Sequence, residues 1–137
     1  MKIERGGVIL FTKLYEECVA FYADVLGLEI LFTDDELTCF EYGAAYLMVE
    51  RGGVLSAAEK TRAQNPTCIR FNVKDVKGET TALREKGLKI NYQEHSWGVI
   101  AQFFDPDGNL CSLRDEKMFV KQIDERKMAT EKALELK

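Results

Sequence analysis

The sequence has a single histidine, His95, and its four cysteines form no CxxC pair and no zinc-type spacing. One imidazole cannot by itself supply the three or four convergent donors that a catalytic metal needs. The cysteines are Cys18, Cys39, Cys68 and Cys111. We expect them to be reduced thiols that pack as small hydrophobic side chains.

The chain also lacks long apolar runs and basic runs. No apolar stretch approaches the roughly 20 residues that a membrane-spanning helix needs, and the net charge of −4 is spread along the chain. We therefore expect neither a membrane nor nucleic acid as a partner. Residues 1–7 lead into a strand-like segment and not into a signal-peptide hydrophobic region, so we expect a cytoplasmic protein.

Hydrophobic periodicity predicts the same order of elements twice. In the first half it predicts strands at 8–12, 29–33, 37–42 and 45–50, and one helix over 15–26. In the second half it predicts strands at 68–74, 88–92, 99–104 and 110–114, and one helix over 76–86. Gly27 and Gly87 end the two helices, and each is followed by leucine. The sequence therefore predicts an α+β fold with two tandem βαβββ modules.

We place module one at about 7–50, a connection at 51–66 and module two at about 67–115, which together form one domain over 1–115. The remaining segment, 116–137, is charged and helix-forming, with a thin apolar stripe. We expect a C-terminal helical extension there. It would lie on the surface or against a partner subunit, or form a solvated tail.

Two motifs occur in order along the chain. The first is Phe-Tyr-Ala-Asp-Val-Leu-Gly-Leu over residues 21–28, and the second is Trp97-Gly98 followed by Phe-Phe-Asp-Pro-Asp-Gly-Asn over residues 103–109. Together they resemble signatures of the glyoxalase/bleomycin-resistance/extradiol dioxygenase superfamily, also called the vicinal oxygen chelate superfamily. The resemblance spans residues 7–115. It implies a curved mixed sheet around a cleft.

The resemblance also places the positions that hold a metal in the enzymes of this superfamily. Counting from the motifs, they fall at Gly7, Met48, Cys68 and Ser112. The enzymes use histidine, glutamate or glutamine there, and none of these four residues supplies an imidazole or carboxylate. We therefore expect no metal and no cofactor. A site made by Cys68 and Glu50, the nearest carboxylate, is the remaining alternative.

Strand alternation gives the side chains that would line the cleft. The residues that we expect to bind a ligand are Phe11, Tyr46, Met48, Glu50, Cys68, Arg70, Asn72, Trp97, Ser112 and Arg114. This mixture of apolar area and a few polar groups is typical of a small-molecule site. Arg70 would hold an anionic or carbonyl group, or else pair with Glu50. Trp97 would stack over the cleft mouth or pack near Gly98.

The resemblance and the cleft composition favour a homodimeric protein that binds a small, partly apolar molecule. Metal-dependent glyoxalase or dioxygenase activity is not expected, because the metal positions are not kept. Two alternatives stay open. One is a metal-independent enzyme of the same superfamily, a lyase or isomerase that uses Glu50, His95 or Cys68. The other is a regulatory subunit with a vestigial cleft.

Overall fold

A computed structural model describes residues 1–136, so Lys137, the last residue of the predicted extension, lies outside the described residues. The chain divides into two compact units, Met1–Thr67 with Phe104–Leu110, and Cys68–Phe103 with Cys111 onward. Each unit contains a four-stranded mixed sheet with helices, which confirms the predicted α+β fold of two βαβββ modules. The module bounds given by the sequence stay a prediction. Residues 104–110, which the sequence placed in module two, group with the first unit.

The first unit has the order β1 Gly7–Thr12, α1 Tyr15–Ala20, a π-helix Phe21–Val25, β2 Ile30–Thr33, β3 Leu37–Tyr42 and β4 Ala45–Arg51. In its sheet the strand order is β1-β4-β3-β2, with β1 parallel to β4 and the other pairs antiparallel. Leu47 and Val49 are fully buried, whereas the residues between and beside them are only half-buried. One face of this sheet is therefore covered and the other is open.

The predicted helix over 15–26 is α-helical only as far as Ala20. The chain continues as a π-helix, with the Leu26 N–H donating to the Phe21 carbonyl at 2.9 Å. Both Phe21 and Tyr22 are buried, and their rings meet edge to face with centroids 5.2 Å apart. The π-helical segment therefore carries two consecutive buried aromatic side chains. Gly27 ends the segment at φ 72°, as predicted.

The second unit has the order β5 Ile69–Val73, α2 Val76–Glu85, β6 Asn91–His95, β7 Gly98–Phe104, β8 Leu110–Asp115 and α3 Glu116–Glu135. The sheet order is β5-β8-β7-β6, with β5 parallel to β8 and β6 antiparallel to β7. Asp75 caps α2 by accepting from the Gly78 N–H at 3.0 Å.

The prediction of a strand at 88–92 was wrong by about three residues. Residues 86–88 complete the cap of α2, with the Leu88 N–H donating to the Leu83 carbonyl at 3.1 Å and Gly87 at φ 90°. Backbone groups used in a helix cap cannot join a sheet. The strand therefore begins at Asn91 and runs to His95, and a tight turn at 96–97 joins it to β7.

The segment after Asp115 is helical to Glu135, and the Asp115 side chain caps it by accepting from the Met118 N–H at 3.1 Å. The extension is helical here, and its place on the surface or against a partner subunit stays a prediction. No residue of α3 is buried in the chain. Within residues 1–136 no helix is long and apolar enough to cross a membrane.

Candidate functional site

The open face of the first sheet carries large apolar side chains. Strand register puts Ile9, Met48, the buried Cys39 and Phe32 in one row, with Ile9 and Phe32 on the two edge strands. Phe11 and Glu50 are partners in another row. Ile9 is 46%, Phe32 50% and Phe11 60% exposed. Tyr46, Met48 and Glu50 are half-buried. We call this group of residues, Ile9, Phe11, Phe32, Tyr46, Met48 and Glu50, the first open face.

The structure shows why the first superfamily metal position carries no side chain here. Gly7 pairs with Tyr46 in the parallel ladder between β1 and β4. A Cβ atom on Gly7 would overlap the Tyr46 ring. Any larger residue at position 7 would have to displace that ring, so the aromatic side chain takes the space that a metal ligand would use.

The open face of the second sheet is polar. Arg70 pairs with Ser112 and Asn72 with Arg114 in the ladder between β5 and β8. The Arg70 Nε donates to the Ser112 Oγ at 2.6 Å, and the same oxygen lies 3.4 Å from the Cys68 Sγ. The Asn72 amide donates to the Glu116 carboxylate at 3.1 Å. Cys68, Arg70 and Asn72 are exposed and Ser112 is fully buried; we call these four residues the second open face.

Arg114 shares the register of the second open face, but its guanidinium is buried at 4% exposure. It lies over the Trp97 ring at 4.7 Å and the Phe119 ring at 5.5 Å, and it donates to the Trp97 carbonyl at 2.9 Å and the Gln122 side chain at 3.2 Å. These contacts join α3 to the turn before β7. That Arg114 binds a ligand stays a prediction.

Trp97 and His95 form a stacked pair at the edge of the second sheet. Their rings are parallel within 5° with centroids 4.7 Å apart, and the His95 Nε2 lies 2.9 Å from the Gln93 Oε1. Trp97 keeps 42% of its surface exposed. The indole therefore contacts both the imidazole and the Arg114 guanidinium, which fits the packing role proposed for Trp97 near Gly98.

The donors present do not fit the metal centre that the superfamily's enzymes use. Gly7 and Met48 offer no hard donor, Ser112 accepts the Arg70 hydrogen bond, and Cys68 is a lone thiol beside it. Within the described part of the chain, no three histidine, cysteine, aspartate or glutamate side chains cluster closely enough to hold a metal ion. No chemistry routed through a metal follows from these residues.

Sequence reasoning missed a buried polar network in the first unit. The Asp105 carboxylate accepts from the Tyr22 hydroxyl at 2.7 Å and from the backbone N–H groups of Asp107 and Asn109 at 2.9 Å. The Asp107 carboxylate accepts from the N–H groups of Lys13 and Leu14, both at 2.9 Å, where α1 begins. The two sequence motifs are therefore bonded to each other, and the residue spacing could not show it.

The cysteines differ in exposure. Cys68 is exposed, whereas Cys18, Cys39 and Cys111 are buried. Burial raises the pKa of the Cys18 thiol far above its ordinary value, and the negative charges of Asp105 and Asp107 add to this shift. Burial also raises the pKa of Cys39. Only the thiolate is nucleophilic, so burial makes these two cysteines less reactive than an exposed thiol.

We predict that the native protein presents one reactive thiol. Ellman's reagent at mildly alkaline pH should titrate Cys68 within seconds to minutes, and all four cysteines once the chain is unfolded in guanidinium chloride. The Cys68→Ser variant should show no fast phase, and Cys18→Ser should keep it. A fast phase that survives in Cys68→Ser would contradict the exposure pattern.

Comparison with known proteins gives the class. The sequence model of the "Glyoxalase/Bleomycin resistance protein/Dioxygenase superfamily" matches residues 6–113. A relative from Bacillus subtilis (strain 168), the uncharacterized protein YraH, is 30% identical over 117 residues, which cover 76% of this chain and 91% of the relative. The chain therefore belongs to the glyoxalase/bleomycin-resistance/dioxygenase superfamily, and the resemblance seen in the two motifs is confirmed.

Solved structures share the fold at low identity. A lactoylglutathione lyase from Agrobacterium tumefaciens aligns with a TM-score of 0.63 and 20% identity, over 82% of this chain and 93% of that one. TnmS3, an antibiotic binding protein from Streptomyces sp. CB03234, aligns with a TM-score of 0.64 and 20% identity, over 84% and 98%. One is named as an enzyme and the other as a binding protein, so the fold alone does not choose between these functions.

Proposed function

We propose that the protein binds a small, partly apolar molecule without a metal, as a binding protein and not as a metalloenzyme. The observation that carries this proposal is the first open face. Three large apolar side chains there, Ile9, Phe11 and Phe32, each expose about half of their surface, next to the adaptable Met48. Large apolar side chains that stay exposed on one sheet face are typical of ligand or partner sites.

Each open face, taken by itself, carries a polar group that could orient a ligand. Glu50 is a half-buried carboxylate in the row of Phe11, and Arg70 is an exposed guanidinium on the second sheet. A few polar groups among apolar area give a small-molecule site its specificity. Arg70 suits a carboxylate or carbonyl oxygen, because its planar fork donates to two acceptor atoms at once.

The absence of a metal is part of this proposal. It is supported by the Tyr46 ring, which occupies the space that a side chain at Gly7 would need. It is also supported by the Ser112 hydroxyl, which already accepts the Arg70 hydrogen bond. We predict that the purified and dialysed protein contains well under one equivalent of nickel, zinc, manganese or iron per chain by elemental analysis. About one equivalent of any of these metals would contradict the proposal.

We also propose a homodimer in the cytoplasm. Support for the dimer comes from β2, an edge strand whose residues Ile30, Leu31 and Phe32 are 45%, 48% and 50% exposed. An apolar edge strand is a pairing surface that native proteins normally cover.

We predict a dimer in sedimentation at tens of micromolar. Leu31→Lys should shift the equilibrium from the dimer towards a 15.6 kDa species. A wild-type monomer at that concentration would exclude the dimer.

Native mass spectrometry of freshly purified protein tests the binding proposal directly, because it reports a retained small molecule and the oligomeric state together. A panel of aromatic antibiotics and aryl carboxylates, screened by thermal shift, then supplies a defined ligand.

Phe11→Ser should lower the affinity for that ligand by about tenfold or more, since an exposed aromatic contact is lost without a change in the core. Met128→Ser, which changes a 70% exposed apolar residue on α3 outside the first open face, is the control. Equal affinity in wild type and Phe11→Ser would remove the first open face from the proposal.

A further inference from the structure

Most of α3 has no cover within residues 1–136. Met118 and Gln122 are half-buried, whereas every residue from Ile123 to Leu136 is exposed. A helical segment of this length is only marginally stable by itself in water, and most helices are stabilised by packing one face against another element. The whole of α3 also follows residues 6–113, which the superfamily model matches, so the helix is an addition to the shared fold.

One side of α3 carries a stripe with the spacing of a helix-pairing surface. The stripe advances in steps of three and four residues, and we call it the α3 seam: Val120, Ile123, Lys127, Thr130 and Leu134. Val120, Ile123 and Leu134 are apolar and 44%, 46% and 62% exposed. The Thr130 hydroxyl already donates to the Arg126 carbonyl at 2.9 Å, so its polar group is satisfied within the helix.

The α3 seam faces away from the contacts that α3 makes with β8. The Gln122 side chain accepts from the Arg114 guanidinium at 3.2 Å, and Gln122 is half-buried. At about 100° per residue, Ile123 lies about 100° and Val120 about 160° around the helix from Gln122. A second helix can therefore lie along the α3 seam while the contact between Gln122 and Arg114 is kept.

The charges beside the α3 seam suit a second copy of the same helix in parallel orientation. Asp124 and Glu131 flank the seam on one side and Arg126 on the other. In a parallel pair in register, Arg126 of each chain meets Glu131 of the other, and two-fold symmetry makes this contact twice. An antiparallel pair brings like sides together, so Asp124 meets Asp124 or Glu131 of the other chain.

We infer that α3 is a self-association surface on which two copies of the chain pair in parallel through the α3 seam. This surface is separate from the β2 edge proposed for the homodimer. Lys127 lies in the middle of the α3 seam and meets its own counterpart, which weakens the pair. The seam is also short, so the pairing belongs at concentrations on the order of hundreds of micromolar, where it joins copies beyond the β2 dimer.

The first test replaces the charge within the α3 seam. Lys127→Ile should tighten the pairing by about tenfold or more, because an apolar residue then fills the centre of the seam. Lys132→Ile makes the same chemical change on the other side of the helix and should leave the pairing unchanged. Both changes are made in the Leu31→Lys chain, which lacks the β2 contact, and association is measured by sedimentation from tens to hundreds of micromolar. Equal association of the two variants would overturn the inference.

The second test determines the orientation of the two helices. In the Leu31→Lys chain, Arg126→Glu should weaken the pairing, and Arg126→Glu combined with Glu131→Arg should restore it, because the ion pair is re-formed with its signs exchanged. With Cys68→Ser as the parent, Ile123→Cys should form a disulfide between copies under mild oxidation. Met128→Cys, at an exposed position outside the α3 seam, should not. Failure of the restoration, or equal cross-linking at the two positions, would exclude the parallel pair.

The same measurements separate this inference from the proposed β2 dimer. If Leu31→Lys is a monomer at every concentration and Lys127→Ile does not change this, pairing through α3 is excluded and the β2 dimer stands. If Leu31→Lys remains a dimer at tens of micromolar and Ile123→Asp dissociates it, pairing through α3 stands and the β2 proposal fails. Circular dichroism of Ile123→Asp checks that the chain has kept its helix content.

Discussion

Asp105→Ala should lower the free energy of unfolding by about 3–5 kcal/mol, because it leaves several buried donors without an acceptor. Asp105 is 3% exposed, and it accepts from the Tyr22 hydroxyl, from two backbone N–H groups and from the Asn109 amide at 3.0 Å. Tyr22 is itself fully buried, so its hydroxyl has no direct access to water. Urea unfolding followed by circular dichroism measures the change.

Asp34→Ala is the matched control. The Asp34 carboxylate also accepts from two backbone N–H groups, at 2.8 and 3.1 Å, but it does so in an exposed turn. Water can replace it there, and we expect a loss below about 1 kcal/mol. Tyr22→Phe combined with Asp105→Ala should be clearly non-additive. Additive effects, or an Asp105→Ala loss as small as the control's, would show that the network contributes little to stability.

Phe71→Ala should destabilise the protein by about 3–5 kcal/mol, the usual cost of truncating a buried aromatic side chain. Phe71 is 9% exposed and lies opposite Leu113 on the covered face of the second sheet. Its neighbour Arg70 points to the open face, so Arg70→Ala should change stability by at most about 1 kcal/mol. Thermal unfolding of both variants under one set of conditions compares them directly.

The same pair tests strand register. Successive residues of a strand point to opposite faces, so a shift of one residue would exchange the two outcomes. If Arg70→Ala unfolds the protein while Phe71→Ala is silent, the register of β5 is wrong and both open faces must be reassigned.

The sequence alone determined the class and most of the strands. Alternating apolar residues placed Ile69 and Phe71 on the covered face, and the structure buries both. Gly27 and Gly87 marked the ends of the helices correctly, because only glycine takes positive φ there without strain. The two motifs identified the superfamily, and the matching sequence model confirms it. These features are local in the chain, and local patterns can be read without knowing which segments meet.

Only the tertiary structure decided which side chains meet across long separations. The bond between Tyr22 and Asp105, the bonds from the backbone before α1 to Asp107, and the contact of Arg114 with the Trp97 ring each join residues that sequence spacing does not relate. The same holds for the Tyr46 ring that fills the space at Gly7. Such contacts depend on how strands pair and where turns pack, and these are set by the free energy of the whole core. The sequence could therefore name residues of the open faces, but it could not tell an exposed Arg70 from a buried Arg114.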